Sequence, residues 1–197
     1  MVEILEADEA AALVHHLRLH LQDNGSNGVV FAPAEAREIT ETAVQIHARA
    51  KQWAEGLRRS VYDPQWRRVW VLRNPQVPEH MRDGRSDGAI VGHVDLRGGG
   101  FASELHRCRL AVGIYTQFRG MGLGKLLVQE AVAWARAQPG LDWIDLGVFS
   151  HNTAAIHVYQ GAGFAEIGRV EDRFRIQGGS VDEVLMAIKV AREPVTQ

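Results

Sequence analysis

The sequence predicts a single mixed α/β domain over residues 1–197, with a helical N-terminal part (1–60) and a core (61–190). Two helical patterns come first, and a mainly β region with two helical crossovers follows, an order typical of helices packed on a sheet. The length of 197 residues and the hydrophobic content of 46% suit one domain with its own core. The chain contains no internal repeat that would indicate another architecture.

The N-terminal part carries one strand pattern and two helical patterns. Residues 2–5 predict a short strand, and residues 8–25 predict a helix with Asp8 as its N-cap. The predicted buried face of this helix consists of Leu13, Leu17 and Leu21. A second helix is predicted from Pro33 to Leu57, and its apolar residues recur every three or four positions. This stripe predicts a helix that covers the sheet, and a dimer seam is its alternative use.

The remaining segments predict the sheet. Runs rich in β-branched and aromatic residues alternate with polar stretches that contain glycine or proline. The predicted strands cover 67–73, 89–97, 104–115 and 141–149, followed by a closing hairpin over 164–175 and 181–190. The first crossover helix is predicted to begin after residue 122, and the second is predicted over 152–163.

The composition argues against several classes of function. A net charge of −2 gives no bias toward nucleic acid or an anionic membrane. The start of the chain lacks the parts of a signal peptide, and no apolar run reaches membrane-helix length, so a cytoplasmic protein is expected. Cys108 is the only cysteine, which excludes an internal disulfide and a four-cysteine zinc site. His16 and His20 are spaced i, i+4 but lack a zincin glutamate, so we expect a solvated helix face and no metal site.

The segment RGMGLGKLL places three glycines, Gly120, Gly122 and Gly124, between a predicted strand and a predicted helix. Such a turn lets backbone N–H groups approach an anion, and the helix N-terminus adds positive potential. The P-loop spacing fails because Arg119 stands at its first glycine and Leu126 at its Ser/Thr position. The dinucleotide fingerprint fails at its third glycine. A tight turn without a ligand is the alternative that this segment alone leaves open.

A second segment, HNTAAIHVYQGAGF, lies one predicted strand later. Together the two segments resemble the signatures of the GCN5-related N-acetyltransferase (GNAT) superfamily, a loop R/Q-x-x-G-x-G/A and a later N-x-x-A-I-x-hydrophobic-Y-x-x-x-G-F. The matching residues are Arg119, Gly122 and Gly124 in the loop, and Asn152, Ala155, Ile156, Val158, Tyr159, Gly163 and Phe164 in the later segment. The resemblance implies the GNAT fold, a twisted, mixed, mostly antiparallel sheet flanked by helices.

The resemblance also implies acetyl-CoA, or another acyl-CoA, as co-substrate. The loop residues that would cradle the pyrophosphate are Arg119, Gly120, Met121, Gly122, Leu123, Gly124 and Lys125. The pantetheine arm would lie along the strand end at Val112, Gly113 and Ile114, where a glycine suits close backbone approach. Asn152 and Ala155 would contact the same ligand, and Asn152 also suits an N-cap.

The implied reaction is direct transfer of an acyl group from a thioester to an amine. A backbone N–H of the strand before the loop would polarise the thioester carbonyl. Tyr159 would protonate the departing sulfur, because a phenol stays protonated at neutral pH. A packed aromatic side chain is the alternative interpretation of Tyr159.

The general base is the least defined residue of the predicted site. The resemblance implies a glutamate at one of two positions, which hold Gly147 (ribosomal-protein type) and Cys108 (histone type) in this chain. Glu104 and His106 share strand parity with Cys108 and are the candidates that remain. An exposed strand-end histidine and a water chain are the alternatives.

The acceptor is expected to be a small amine. The predicted loops 73–88 and 97–104 mix acids with arginines, which favours a zwitterionic or neutral molecule over a polycation. A homodimer is left open. The alternative function is a GNAT-like sensor or structural module that binds acyl-CoA with little catalysis. The missing carboxylates favour this alternative, and the intact loop and Tyr159 oppose it.

Overall fold

A computed structural model describes residues 2–22, 24, 32, 43–81, 88–176 and 178–191. Within these residues the chain forms a seven-stranded sheet and four α-helices. The strands are β1 (Val2–Ile4), β2 (Arg67–Asn74), β3 (Ala89–Gly98), β4 (Arg107–Ile114), β5 (Trp143–Phe149), β6 (Ala165–Ile176) and β7 (Gly179–Lys189). The helices are α1 (Ala10–Gln22), α2 (Ala43–Arg58), α3 (Leu123–Arg136) and α4 (Thr153–Gly161).

The strand order in the sheet is β1-β2-β3-β4-β5-β7-β6. Every neighbouring pair is antiparallel except β4 and β5, which run parallel and are connected by α3. The mixed, mostly antiparallel sheet expected from the resemblance is therefore confirmed.

Helices α3 and α4 cover one face of the sheet. Apolar residues of α3 recur every three or four positions, and Leu127, Val128 and Ala131 are buried. They share one core cluster with Trp70 of β2 and Ile144 of β5. This packing fixes α3, and the glycine turn before it, against the middle of the sheet.

Helices α1 and α2 cover the opposite face. Leu13 of α1 is fully buried against Val69 and Val71 of β2, and Trp53 and Leu57 of α2 pack on the same cluster. The prediction that the second helix covers the sheet is thus confirmed for the residues described. Its predicted start at Pro33 lies outside them.

Two sequence-based predictions need correction. The strand predicted over 104–115, β4, begins at Arg107 instead of residue 104. Residues Ala102–Glu104 form a 3-10 turn in which the Glu104 carboxylate accepts the Phe101 N–H at 3.3 Å. The prediction that His16 and His20 lie on a solvated face is wrong. These side chains are 2% and 6% exposed and face the sheet.

Across the part of the chain that the structure describes, no helix has the length and apolar character needed to span a membrane.

Candidate active site

Strands β4 and β5 pair for only three residues and then separate. The paired positions are Arg107–Trp143, Cys108–Ile144 and Arg109–Asp145. Beyond them β4 continues to Ile114 and β5 to Phe149 without pairing to each other, while their outer edges stay bonded to β3 and β7. The middle of the sheet therefore holds a gap that is closed at the start of both strands and open at their ends.

The gap presents unpaired backbone donors of β4. The Tyr115 N–H bonds the Val91 carbonyl of β3 at 3.1 Å, so it points away from the gap. Because N–H groups alternate along a strand, the N–H groups of Val112 and Ile114 point toward the gap and that of Gly113 toward β3. Val112 and Ile114 are therefore the positions of the predicted trio whose backbone can bond a ligand there.

The glycine turn lies at the open end of the gap. Gly120 and Gly122 have φ values of 75° and 77°, a left-handed conformation that favours glycine. A Cβ at Gly120, Gly122 or Gly124 would meet no heavy atom within 4 Å, so the turn faces open space. The side chain of Arg119 turns back, and its Nε donates to the Ile114 carbonyl at 3.0 Å.

The first turn of α3 adds free donors to this turn. Gly122 is the N-cap, no side chain caps the helix, and the first helical bond joins the Leu126 N–H to the Gly122 carbonyl at 3.2 Å. The N–H groups of Leu123, Gly124 and Lys125 precede that bond and have no partner within the helix. Together with the helix dipole they form a site suited to an anion.

Helix α4 follows the open end of β5. Asn152 is its N-cap, and the Asn152 side chain accepts the Ala155 N–H at 3.2 Å. Tyr159 is buried in the same core cluster as Leu146 and Val148 of β5, and its ring packs against Phe164 at a centroid distance of 5.9 Å. Burial raises the pKa of Tyr159 to about 12, which keeps the phenol protonated.

A cluster of buried histidines lies under the β4 side of the gap, on the face that α1 covers. His16 and His20 of α1 meet His93 of β3, which is 4% exposed. His93 is paired with Gly113 in the sheet. A Cβ on Gly113 would lie 2.5 Å from His93 Cε1 and 2.7 Å from His20 Nε2, so the imidazoles pack directly on the gap-forming strand.

Hydrogen bonds define the protonation of two of these rings. His16 Nδ1 lies 3.0 Å from the Ile90 carbonyl, which can only accept, so Nδ1 carries the proton. In neutral His16 the Nε2 atom then accepts from His93 Nδ1, 2.9 Å away. Burial lowers the pKa of His16 and lowers that of His93 to about 3, so both rings are neutral at pH 7. Within the described residues, no group of three or more His, Cys, Asp or Glu side chains is arranged to hold a metal ion.

A carboxylate lies over the β5 side of the gap. Glu183 of β7 pairs with Phe149 of β5, and its side chain reaches over Gly147. A Cβ at Gly147 would overlap the Glu183 carboxylate and lie 2.8 Å from its Cδ. Arg173 Nε of β6 lies 3.4 Å from Glu183 Oε2, and the Glu183 side chain is 16% exposed.

The structure does not bring Glu104 and His106 to the open half of the gap. His106 lies at the closed end, where its carbonyl accepts the N–H groups of Asp142 and Trp143 at 2.8 and 3.1 Å. A strand rises ~23 Å between His106 and Gly113 at about 3.3 Å per residue. Glu104 lies in the 3-10 turn before β4, so the parity argument does not apply to it.

The charged loop residues predicted to line the acceptor side are only partly described. Arg73 belongs to β2 and forms ion pairs with Glu3 and Glu9, at 2.5 and 2.8 Å. Residues 82–87, which carry half of the predicted charges, lie outside the described residues.

Sequence reasoning missed His93 and Glu183. Each side chain meets its neighbours across elements that are distant in sequence, so no local motif marks it. The signals that were present are weak: a histidine inside the apolar strand AIVGHVDL, and a glycine inside the apolar strand WIDLGVF that leaves room for a neighbouring side chain.

Comparisons with known proteins converge on one family. A model of the acetyltransferase (GNAT) family matches residues 41–164. The N-alpha-acetyltransferase RimI of Mycobacterium tuberculosis is 28% identical over 103 residues, which cover 50% of this chain and 60% of that protein. A mycothiol acetyltransferase of Salinispora arenicola is 43% identical over 54 residues, 27% of this chain and 18% of that protein. The matched segments thus span three fifths or less of these relatives.

Solved structures resemble the whole fold. A GNAT-family acetyltransferase from Streptococcus pneumoniae aligns with a TM-score of 0.70 at 26% identity, covering 96% of this chain and 98% of that one. The yncA protein of Salmonella typhimurium, solved with its cofactor acetyl-CoA, aligns with a TM-score of 0.72 at 16% identity. That alignment covers 100% of this chain and 97% of yncA, and at this identity it shows the shared fold alone.

Proposed function

The chain belongs to the acetyltransferase (GNAT) family, and we propose that it moves an acetyl group from acetyl-CoA to the primary amine of a small molecule by direct transfer. The observation that carries this proposal is the gap between β4 and β5, which opens beside a left-handed glycine turn and an uncapped helix N-terminus. In this proposal the chain acts as one cytoplasmic domain.

The residues present fit acetyl-CoA. A pyrophosphate needs several N–H donors, positive potential and close approach. The turn from Gly120 to Lys125 supplies the donors and the potential, and its three glycines face open space. The pantetheine arm carries amides, and the free N–H groups of Val112 and Ile114 would bond it as a neighbouring strand would. When bound, acetyl-CoA supplies an activated acyl thioester.

Residues on both faces of the sheet would complete the chemistry. A gap-facing N–H of β4 donates to the acyl oxygen, where negative charge develops during transfer. Tyr159, protonated and packed on the α4 side, donates a proton to the sulfur. The acceptor amine then enters from the α1 and α2 face, where the histidine cluster and Glu183 border the gap.

The size of the acceptor is inferred from the charges of the chain and from its relatives. The sequences of the predicted acceptor loops contain as many arginines as acids, which does not favour a polyamine. One relative is named as a mycothiol acetyltransferase and another as an N-alpha-acetyltransferase. A small amine is the class that agrees with the loop charges.

Thiol release from acetyl-CoA, measured with a panel of amines, tests the proposal. The panel contains amino acids, spermidine, an aminoglycoside and N-terminal peptides, with acetyl-CoA alone as the background. We expect turnover with at least one small amine and a kcat/KM above that for the peptides. A protein that binds acetyl-CoA but releases no thiol above background with any amine would act as an acyl-CoA sensor instead. A clear preference for spermidine or a ribosomal N-terminal peptide would contradict the small-amine assignment.

A further inference from the structure

We propose that Glu183 is the general base that takes a proton from the acceptor amine. This inference rests on the proposed acetyl transfer and adds a residue that no motif in the chain marks. Glu183 of β7 places its carboxylate beside Gly147 of β5, a residue that has no side chain.

The placement of Glu183 follows from the register of the sheet. On β5, residues 145, 147 and 149 face the α1 side, and β7 residues 187, 185 and 183 lie beside them. Gly147 belongs to the open half of β5, so a side chain lying over it borders the gap. The Glu183 carboxyl carbon would be 2.8 Å from a Cβ at Gly147, which places the carboxylate directly over this part of the gap.

The two gap-forming strands offer no better carboxylate. The segment RCRLAVGI of β4 contains none, and WIDLGVF of β5 contains only Asp145. Asp145 lies in the paired, closed half, where its Oδ2 accepts from Arg107 Nε at 2.8 Å. The other neighbouring strand, β3, carries Asp95 opposite Ala111 of β4, but the Asp95 Oδ2 accepts from the Arg67 guanidinium at 2.8 Å. Glu183 is the carboxylate that β7 brings to the open half.

The β6–β7 hairpin is built to hold this carboxylate. Between Val170 and Phe174 the register shifts, so β6 carries extra residues there. Within this bulge Asp172 adopts a φ of 50°, and its N–H donates to the Asp182 carboxylate at 2.9 Å. Bulges of this kind re-aim side chains near functional sites. Here the bulge contains Arg173, whose Nε lies 3.4 Å from Glu183 Oε2.

The Glu183 carboxylate is partly accessible and has one close charged neighbour. Its side chain is 16% exposed, and the Phe149 ring, on the residue paired with it, is buried. Arg173 is the charged neighbour on its own side, and Asp172 and Asp182 lie further along the hairpin. One carboxylate oxygen faces Arg173, and the other is the atom that lies closest to the Gly147 position.

The proton balance of the transfer assigns one proton to Glu183. A protonated amine gives a proton to Glu183, and its freed lone pair forms the C–N bond as the C–S bond breaks. The sulfur takes a proton from Tyr159, and the second proton lost by the nitrogen restores the phenol through solvent. Ammonium and thioester thus become amide, thiol and one proton, which Glu183 releases to water.

The first test compares Glu183→Gln with Glu166→Gln, a matched change at an exposed position of the same hairpin. We expect Glu183→Gln to lower kcat/KM by roughly 10²–10⁴-fold at neutral pH. The loss should shrink as the pH approaches the pKa of the amine, because the amine then arrives neutral. The calorimetric dissociation constant for acetyl-CoA should stay unchanged in both variants.

A second test moves the carboxylate to the other strand. Glu183→Ala should lose activity. The double variant E183A/G147D should be at least tenfold more active than Glu183→Ala, because an Asp side chain at 147 projects into the space that Glu183 left. In protein labelled with ¹³C at glutamate Cδ, the signal absent from Glu183→Gln should shift when the acceptor amine is added to the enzyme with free CoA.

These tests separate the two proposals. The role of Glu183 is overturned, and the proposed function is kept, by one set of results. In this set the wild-type protein acetylates an amine, Glu183→Gln does so equally fast, and the double variant gains no activity over Glu183→Ala. If Glu183→Gln does not fold, failure of E183A/G147D to regain activity while binding acetyl-CoA overturns it. A wild-type protein that binds acetyl-CoA and acetylates no amine overturns the proposed function, and the role of Glu183 with it.

Discussion

His16 Nε2 accepts a hydrogen bond from His93 Nδ1 at 2.9 Å, which joins α1 to the strand beside the gap. Both rings are buried, and burial is the main cause that lowers the pKa of each. The neighbouring groups that lower the two pKa values further are His93, His20 and His15 for His16, and His20 and Arg67 for His93. The hydrogen bond requires a neutral His16, because a protonated Nε2 could no longer accept.

Acid should destabilise the fold through this pair. The unfolded histidines titrate near ~6.5, whereas the folded ones titrate lower, so the unfolded state binds more protons as the pH falls below about 6.5. Between pH 7.5 and 5.5 each histidine should remove about 1.4 kcal/mol from the free energy of unfolding. Urea unfolding at the two pH values measures this loss.

His93→Asn isolates one of the two rings, because the Asn amide can donate to His16 as Nδ1 does. We expect this variant to lose about 1.4 kcal/mol less than the wild type over the same pH interval. His157→Asn, on the exposed face of α4, is the control and should follow the wild type. An unchanged pH dependence in His93→Asn would show that His93 does not titrate as its burial requires.

Substitutions in the glycine turn should change the affinity for acetyl-CoA independently of the free energy of unfolding. Gly124→Ala places a methyl group on the helix face that would meet the pyrophosphate. Gly124 lies within α3, and the new methyl group would meet no protein atom within 4 Å, so the fold should tolerate it. We expect the dissociation constant for acetyl-CoA to rise more than tenfold, about 1.4 kcal/mol. The same change should leave the free energy of unfolding equal or raise it by about 0.5–1 kcal/mol.

Gly122→Ala and the bulkier Gly122→Val are the companion variants. Because Gly122 has a φ of 77°, we expect a similar loss of affinity together with a loss of stability of about 1–2 kcal/mol. Calorimetry and urea unfolding measure the two quantities. Wild-type affinity in folded Gly124→Ala and Gly122→Val protein would remove the turn from the binding site.

Tyr159→Phe should keep the fold and acetyl-CoA binding, because the ring packing on Phe164 is retained. The loss should fall mainly on kcat, by about 10²–10⁴-fold, since proton donation alone is removed. Tyr62→Phe, at a side chain that is 60% exposed, is the matched control. Near wild-type turnover in Tyr159→Phe would make Tyr159 a packing residue.

Gly113→Ala should damage the gap through the histidine cluster. The new methyl group would lie 2.5 Å from His93 Cε1 and 2.7 Å from His20 Nε2, and overpacking of this kind typically costs about 1–3 kcal/mol. We expect a lower midpoint of thermal unfolding and weaker acetyl-CoA binding. Gly168→Ala in β6, where a Cβ meets no atom within 4 Å, should change neither. A fully stable Gly113→Ala protein would show that the imidazoles can move aside.

The parts of this fold that could be predicted from the sequence are those encoded in contiguous residues. The stripe on α3, the alternation of the strands, the glycine turn and the N-cap at Asn152 each depend on neighbours in the chain. The meeting of His16 with His93 depends on how α1 lies across β3, and the meeting of Glu183 with Gly147 depends on strand register. Helical spacing alone could not distinguish a solvated histidine face from one that packs on the sheet. Strand parity misplaced Glu104 because it assumed that the strand began before Arg107.

The separation of β4 and β5 also bears on the solubility of the protein. Beyond the three paired positions the sheet has two inner edges, and unpaired edges favour pairing with strands of other chains. A pantetheine arm lying along Val112 and Ile114 would cover the edge of β4. We therefore expect the tendency of this protein to self-associate to depend on the acyl-CoA supply, with ligand-starved protein aggregating edge to edge and saturated protein remaining dispersed.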